Sequence, residues 1–117
     1  VLMGVPTFYT RLLEHPGLTA ERCRRIRLFI SGSAPLTEQT FAAWEARTGH
    51  RILERYGMSE TMMNTSNPLD GERVAGTVGF ALPGVSVRIA DADGVVCPTG
   101  TTGVIEVRGP NVFAGYW

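Results

Sequence analysis

The stretch Ile26-Arg27-Leu28-Phe29-Ile30-Ser31-Gly32-Ser33-Ala34-Pro35-Leu36-Thr37 leads into residues 38–50 and then Arg51-Ile52-Leu53-Glu54-Arg55-Tyr56-Gly57-Met58-Ser59-Glu60-Thr61, and its reading decides the fold. Ile26 to Ile30 is mainly apolar and β-branched at both ends, the composition of a buried strand. Ser31 to Pro35 interrupts it with small residues and a proline. Thr37 is placed to cap a helix running to about Thr48, with Phe41 and Trp44 on its inner face and Gly49 as terminator. Arg51 to Arg55 reads as a second short strand around Ile52 and Leu53. Tyr56 to Thr61 reads as a second, glycine-containing loop. A strand, a helix and a strand on short connections form a right-handed βαβ unit with parallel strands. Their carboxyl ends then share one sheet edge, outside which ligands of such sheets bind. Both small-residue loops are therefore expected to face one crevice.

Upstream, Pro6 is well placed to start a helix carrying Phe8, Tyr9, Leu12 and Leu13, ended by Pro16-Gly17. A short helix is expected over Ala20 to Arg24. Downstream, Val85, Val87 and Ile89 alternate with Ser86 and Arg88. Asp91-Ala92-Asp93-Gly94 supplies a turn, Val95-Val96 begins a return strand, and Gly103 to Arg108 alternates again. The predicted class is α/β. A βαβ portion of a parallel sheet is expected over residues 1–75, and a small antiparallel β-rich subdomain or partial barrel packed beside it over 76–117.

The 117 residues suit one modest domain, and 44% hydrophobic with 19% charged residues is a packed rather than a disordered composition. Eleven cations, all arginine, balance eleven carboxylates. That balance gives no long-range field for nucleic acid or an anionic membrane, so neither is expected as a partner. With no lysine in the chain, a phosphate-loop, Schiff-base or catalytic lysine is excluded from within it. Cys23 and Cys97 have no metal-ligand spacing and read as reduced thiols, which points to the cytoplasm. No apolar run approaches the roughly 20 residues of a membrane span, and no signal-peptide pattern opens the chain. Strand character at Val1 and the aromatic pair Tyr116-Trp117 give the expectation of a piece of something longer.

The loops carry the chemistry. Ser31–Pro35 lacks bulk, so a planar ligand can lie on its backbone and its N–H groups can meet an anion. Small residues also fill ordinary strand-to-helix turns, and the loop alone leaves both readings open. In the second loop Tyr56 offers a face for stacking and Gly57 allows close approach. Ser59 offers a donor for a phosphate oxygen, and Glu60 a hard ligand for Mg²⁺. Equally, Tyr56 fits a half-buried core position and Glu60 a helix start. Arg11, on an otherwise apolar helix face, suits bidentate pairing with a carboxylate or snorkelling to water. His15 and His50 stand apart from any Cys or carboxylate cluster. Gly57-Met58-Ser59-Glu60-Thr61 departs from the nucleophile elbow G-x-S-x-G at Thr61, which argues against a serine hydrolase.

Four segments in order carry a family resemblance: Ser31-Gly32-Ser33-Ala34-Pro35-Leu36; Glu54-Arg55-Tyr56-Gly57-Met58-Ser59-Glu60-Thr61; Gly76-Thr77-Val78-Gly79 with Leu82-Pro83-Gly84-Val85; and Gly103-Val104-Ile105-Glu106-Val107 through Gly115-Tyr116-Trp117. They resemble successive motifs of the adenylate-forming acyl-CoA synthetases, the AMP-binding superfamily, across essentially the whole chain. Residues 4–11 and 63–68 are most similar to its malonate-activating members. The resemblance implies an acid–thiol ligase in which a carboxylate attacks the α-phosphorus of ATP, giving an acyl-adenylate and pyrophosphate. The thiol of coenzyme A then displaces AMP. It implies that Gly32, Ser33 and Ala34 line the adenine and acyl side, that Tyr56 stacks on adenine next to Gly57, that Ser59 bonds the α-phosphate, and that Glu60 holds Mg²⁺. Arg11, helped by Ser33, would pair with the distal carboxylate of malonate. Ser59 stands where the family usually has threonine, keeping the hydroxyl and losing a methyl. The family's phosphate loop would lie before Val1, and its ribose-binding aspartate, hinge and catalytic lysine after Trp117, so the segment alone is expected to be inactive. Two alternatives remain. One is a different adenylate-forming ligase (fatty-acyl, aryl or carrier-protein-loading), whose neutral acyl pocket has no use for Arg11. The other is a non-catalytic nucleotide-binding module.

Overall fold

The computed structural model describes residues 1–117. In chain order the elements are strand β1 (Leu2–Gly4), helix α1 (Pro6–Glu14), helix α2 (Ala20–Cys23), strand β2 (Phe29–Ser31), helix α3 (Glu38–Thr48), and strands β3 (Leu53–Met58), β4 (Met62–Ser66), β5 (Phe80–Ala81), β6 (Ser86–Ala90) and β7 (Val104–Arg108). Five strands form one sheet in the order β1-β2-β3-β4-β5, and β6 and β7 form a separate ribbon. β1, β2 and β3 are parallel, with Leu2 opposite Phe29 and Ile30 opposite Leu53. β4 and β5 add antiparallel strands to that sheet. The class is α/β, and the parallel β2-α3-β3 crossover sits at its centre. No helix is long and apolar enough to cross a membrane.

The crossover helix is set by local chemistry at both ends. The Thr37 hydroxyl accepts the Thr40 N–H at 3.1 Å, and the chain leaves the helix at Gly49 with φ +73°. Between them α3 turns Phe41 and Trp44 onto a core that includes Tyr9 of α1, Cys23, Phe29, Leu36 and Ile52. Trp44 meets the Tyr9 ring edge-on at 4.9 Å and the Phe29 ring at 5.1 Å. Arg47, in the last turn of the helix, donates to the carbonyls of Leu13, His15 and Leu18. It thus fastens the end of α1 and the segment after it to α3.

Strand boundaries differ from the sequence expectation in two places. β2 begins at Phe29 rather than Ile26, because the Ile26 N–H still closes the end of α2 on the Cys23 carbonyl at 2.8 Å. Ser31 is consequently the last residue of the strand, not the first of the loop. β3 begins at Leu53 and runs on through Tyr56, Gly57 and Met58, which were expected in a loop. The reason is β4, which pairs Tyr56 with Thr65 and Met58 with Met62 in a hairpin and leaves only residues 59–61 as the turn. Gly57 marks a shift in register instead of a loop, since a Cβ there would stand 2.0 Å from the Met62 carbonyl oxygen.

β6 and β7 pair in the expected antiparallel register, Ser86 opposite Arg108 to Ala90 opposite Val104. Val95-Val96 contributes a single bridge, Val96 to Ala90, rather than a return strand. Pro98, which has no N–H to offer a ladder, follows at once. Ile105 is 46% exposed. The ribbon is joined to the larger sheet chiefly through residues 111–116, described below.

Candidate functional site

Ser33 and Gly57 are the junction on which the site is built. Three adjoining depressions on the carboxyl edge of the parallel strands all include both residues. The first, of about 330 Å³, runs from Ser33-Ala34-Pro35 across Tyr56 to Gly76 and Val78. The second, of about 340 Å³, lies between the ends of β1 and β2 and takes in Gly4, Phe8, Gly32 and Met63. The third, of about 560 Å³, opens over Ser59 and Glu60. The two loops of the sequence reading therefore do share one crevice. Gly32 approaches β3 so closely that a Cβ on it would stand 3.2 Å from the Arg55 carbonyl oxygen. Ser33 holds a left-handed backbone, φ +67°, which costs a non-glycine residue roughly 1–2 kcal/mol. Strain of this kind concentrates at functional positions, and here it falls on one of the two residues common to all three depressions.

Tyr56 is half-buried and lines the first depression beside Ala34, while Ser59 is exposed on the hairpin turn. Glu60 is partly exposed beside it. Its carboxyl is held below the usual carboxylate range, first by the hydroxyl of Tyr116 and then by its own backbone N–H. The Tyr116 phenol is raised by the same bond. A carboxylate kept ionised at the mouth of a depression, with a hydroxyl one residue away, is a donor set suited to Mg²⁺. That cation takes one or two carboxylates and completes its shell with water and phosphate oxygens. No group of three His, Cys, Asp or Glu side chains exists to make an all-protein cage.

Arg11 lies on exposed α1 surface in a neighbouring depression of about 420 Å³ with Leu2, Met3, Phe8 and Leu12. That depression shares Met3 and Phe8 with the one containing Gly32 and Ser33, so Arg11 adjoins the junction without lining it. No carboxylate of the chain pairs with it.

Two residues that hold the site in shape had no role in the sequence reading. Glu54 is 4% exposed on β3, and its Oε1 accepts the Leu36 N–H at 2.8 Å while Oε2 has no partner. Burial raises its pKa, an effect the Leu36 bond partly offsets. A lone carboxylate after Ile52-Leu53 in a strand was the available signal. Asn67 is also buried; its Nδ2 donates to the carbonyls of Thr77 at 2.7 Å and Glu54 at 3.3 Å, and its Oδ1 accepts the Val74 N–H. This ties the segment bearing Gly76 and Val78 to β3, and so closes the first depression.

Parallel strands thus carry a small-residue loop and a Ser-Glu hairpin turn at one carboxyl edge, the place where ligands of such sheets bind. Residues 1–117 match the model of the AMP-binding enzymes, and the chain belongs to that family. It is 46% identical over 129 residues to a malonate–CoA ligase of Arabidopsis thaliana, covering 100% of this chain and 20% of the relative. ATP-bound MatB from Rhodopseudomonas palustris superposes with a TM-score of 0.96 at 65% identity, over 99% of this chain and 23% of that one. A malonyl-CoA ligase in a ternary product complex with methylmalonyl-CoA and AMP gives 0.84 at 47% identity, over 98% of this chain and 25% of that one. The chain thus spans about a fifth to a quarter of the length of these relatives.

Proposed function

We propose that the complete enzyme carrying this chain is an acid–thiol ligase that activates malonate with ATP and passes the acyl group to coenzyme A. The observation that carries this reading is the likeness to a ligase holding methylmalonyl-CoA and AMP together, the products such a reaction leaves from a diacid. In the first half-reaction a carboxylate oxygen bonds to the α-phosphorus as pyrophosphate leaves. In the second, the coenzyme A sulfur, having lost its proton, bonds to the acyl carbon as AMP leaves.

This chain's part is positioning and charge. Tyr56 offers its ring to adenine, beside Gly57 and opposite the bare backbone of Gly32, Ser33 and Ala34. Ser59 donates to an α-phosphate oxygen, and Glu60 is the carboxylate for Mg²⁺. Bound there, the cation would offset charge on the phosphates. Arg11, whose depression shares Met3 and Phe8 with that of Gly32 and Ser33, pairs with the distal carboxylate of malonate, with the Ser33 hydroxyl as a second donor. A monocarboxylate would offer that guanidinium no second carboxylate to pair with, which favours diacids. The free thiols of Cys23 and Cys97 support a cytoplasmic setting.

The test is thioester and AMP formation by the complete enzyme with malonate, methylmalonate, acetate, benzoate and a long-chain fatty acid. Malonate is expected to give thioester and AMP in equal amounts. Reaction with benzoate or the fatty acid but not malonate would assign a different acid–thiol ligase, and ATP binding without thioester from any acid would assign a binding module.

A further inference from the structure

The turn between β3 and β4 carries both Ser59 and Glu60 yet has little of its own to hold it. Its one internal backbone bond, Thr61 N–H to the Met58 carbonyl, is 3.2 Å long, and Met62 at its end has φ +54°. The hold comes from beyond β7. The Phe113 N–H donates to the Glu60 carbonyl at 2.8 Å. Asn111 Nδ2 donates to the Thr61 carbonyl at 2.6 Å and to Asn64 Oδ1 at 3.1 Å, across a sequence separation of 50 residues for the first. The Tyr116 hydroxyl donates to Glu60 Oε1. The Phe113 and Tyr116 rings meet edge-on at 4.8 Å, so the backbone and side-chain contacts to Glu60 are coupled.

We infer that residues 111–116 are a clasp for this turn, and that Tyr116 is a positioning residue which orients the Glu60 carboxylate for the metal–nucleotide complex. The inference rests on the proposed assignment of Glu60 to Mg²⁺. A phenol donating to an ionised carboxylate makes a charge-assisted bond. A carboxylate has about four lone-pair sites, so one donor leaves room for a cation. Glutamate loses considerable rotamer freedom when fixed, and a group fixed beforehand does not incur that loss on binding.

Titration calorimetry of the complete enzyme with Mg-ATP, and with ATP in excess EDTA, tests it, together with hydrogen exchange of the metal-free protein over residues 57–66. Tyr116→Phe is expected to weaken Mg-ATP binding about three- to tenfold, leave metal-free ATP within about twofold, and speed exchange in the turn. Asn111→Ala is expected to speed that exchange as well. Unchanged Mg-ATP affinity in Tyr116→Phe, or equal weakening of both ATP forms, overturns the inference. Glu60→Gln in the same titration separates the two layers. If it loses the magnesium preference and Tyr116→Phe does not, the clasp alone fails. If Glu60→Gln keeps the preference, the metal assignment fails and the inference with it.

Discussion

Glu54 Oε1 accepts the Leu36 N–H at 2.8 Å, which fastens the end of the Ser31–Leu36 segment to the strand that leads into the Ser59–Glu60 turn. The two halves of the candidate nucleotide site are thereby held by a buried carboxylate whose second oxygen has no partner. Such a group is costly when charged, which is why burial raises its pKa. The folded chain then keeps a proton that the unfolded chain has already lost. Stability contributed at Glu54 therefore falls as pH rises from the ordinary carboxylate range to the raised value. Glu54→Gln keeps an acceptor for Leu36 and removes the titration. The melting temperature of the variant, relative to wild type, is expected to rise between pH 4 and pH 7, and a constant difference would contradict this.

Tyr9 is fully buried and donates to the Ile30 carbonyl at 2.6 Å, one residue before Ser31. Tyr9→Phe leaves that carbonyl without this donor and is expected to cost about 1–3 kcal/mol in urea unfolding. Burial lifts the phenol from 10.0 to about 12. The native state therefore favours the neutral phenol, and the stability Tyr9 provides is kept below pH 10 and lost toward 12.

Gly57 has no room for a side chain, because the obstacle at 2.0 Å is backbone, the Met62 carbonyl oxygen. Gly57→Ala must push the hairpin off its register and displace Ser59 and Glu60. Adenylation is expected to fall about 100-fold. An alanine variant with wild-type adenylation would show that the turn's placement does not matter.

How much of this was legible in the sequence depends on how local the determinant is. Thr37 and Gly49 bounded α3 because caps are decided within one turn of chain. The parallel crossover followed from strand, helix and strand on short connections. Gly57 misled, since a glycine after an aromatic reads as a loop until a partner strand is known, and Met62–Ser66 gave no alternation to announce one. The convergence of Ser33 with Gly57 and Glu60 was readable from topology. Glu54 to Leu36 and Tyr116 to Glu60 were not, because those bonds join residues 18 and 56 positions apart. Arg11 was identified as a candidate but is seated one depression away from Ser33.

Arg11→Ala in the complete enzyme is expected to lower kcat/KM for malonate about 100-fold while the ATP KM stays within about twofold. Arg11→Lys restores only part of the loss, because an ammonium cannot make the planar two-point contact. Equal losses with malonate and acetate would remove Arg11 from the acid site.

Malonate-dependent exchange of pyrophosphate into ATP by the complete enzyme tests the central claim most directly, since it reports the adenylation half-reaction apart from thioester formation. The account predicts exchange that requires both malonate and Mg²⁺ and falls at least about 100-fold in Glu60→Gln. Exchange at the wild-type rate in Glu60→Gln, or exchange that proceeds without any acid, would contradict it.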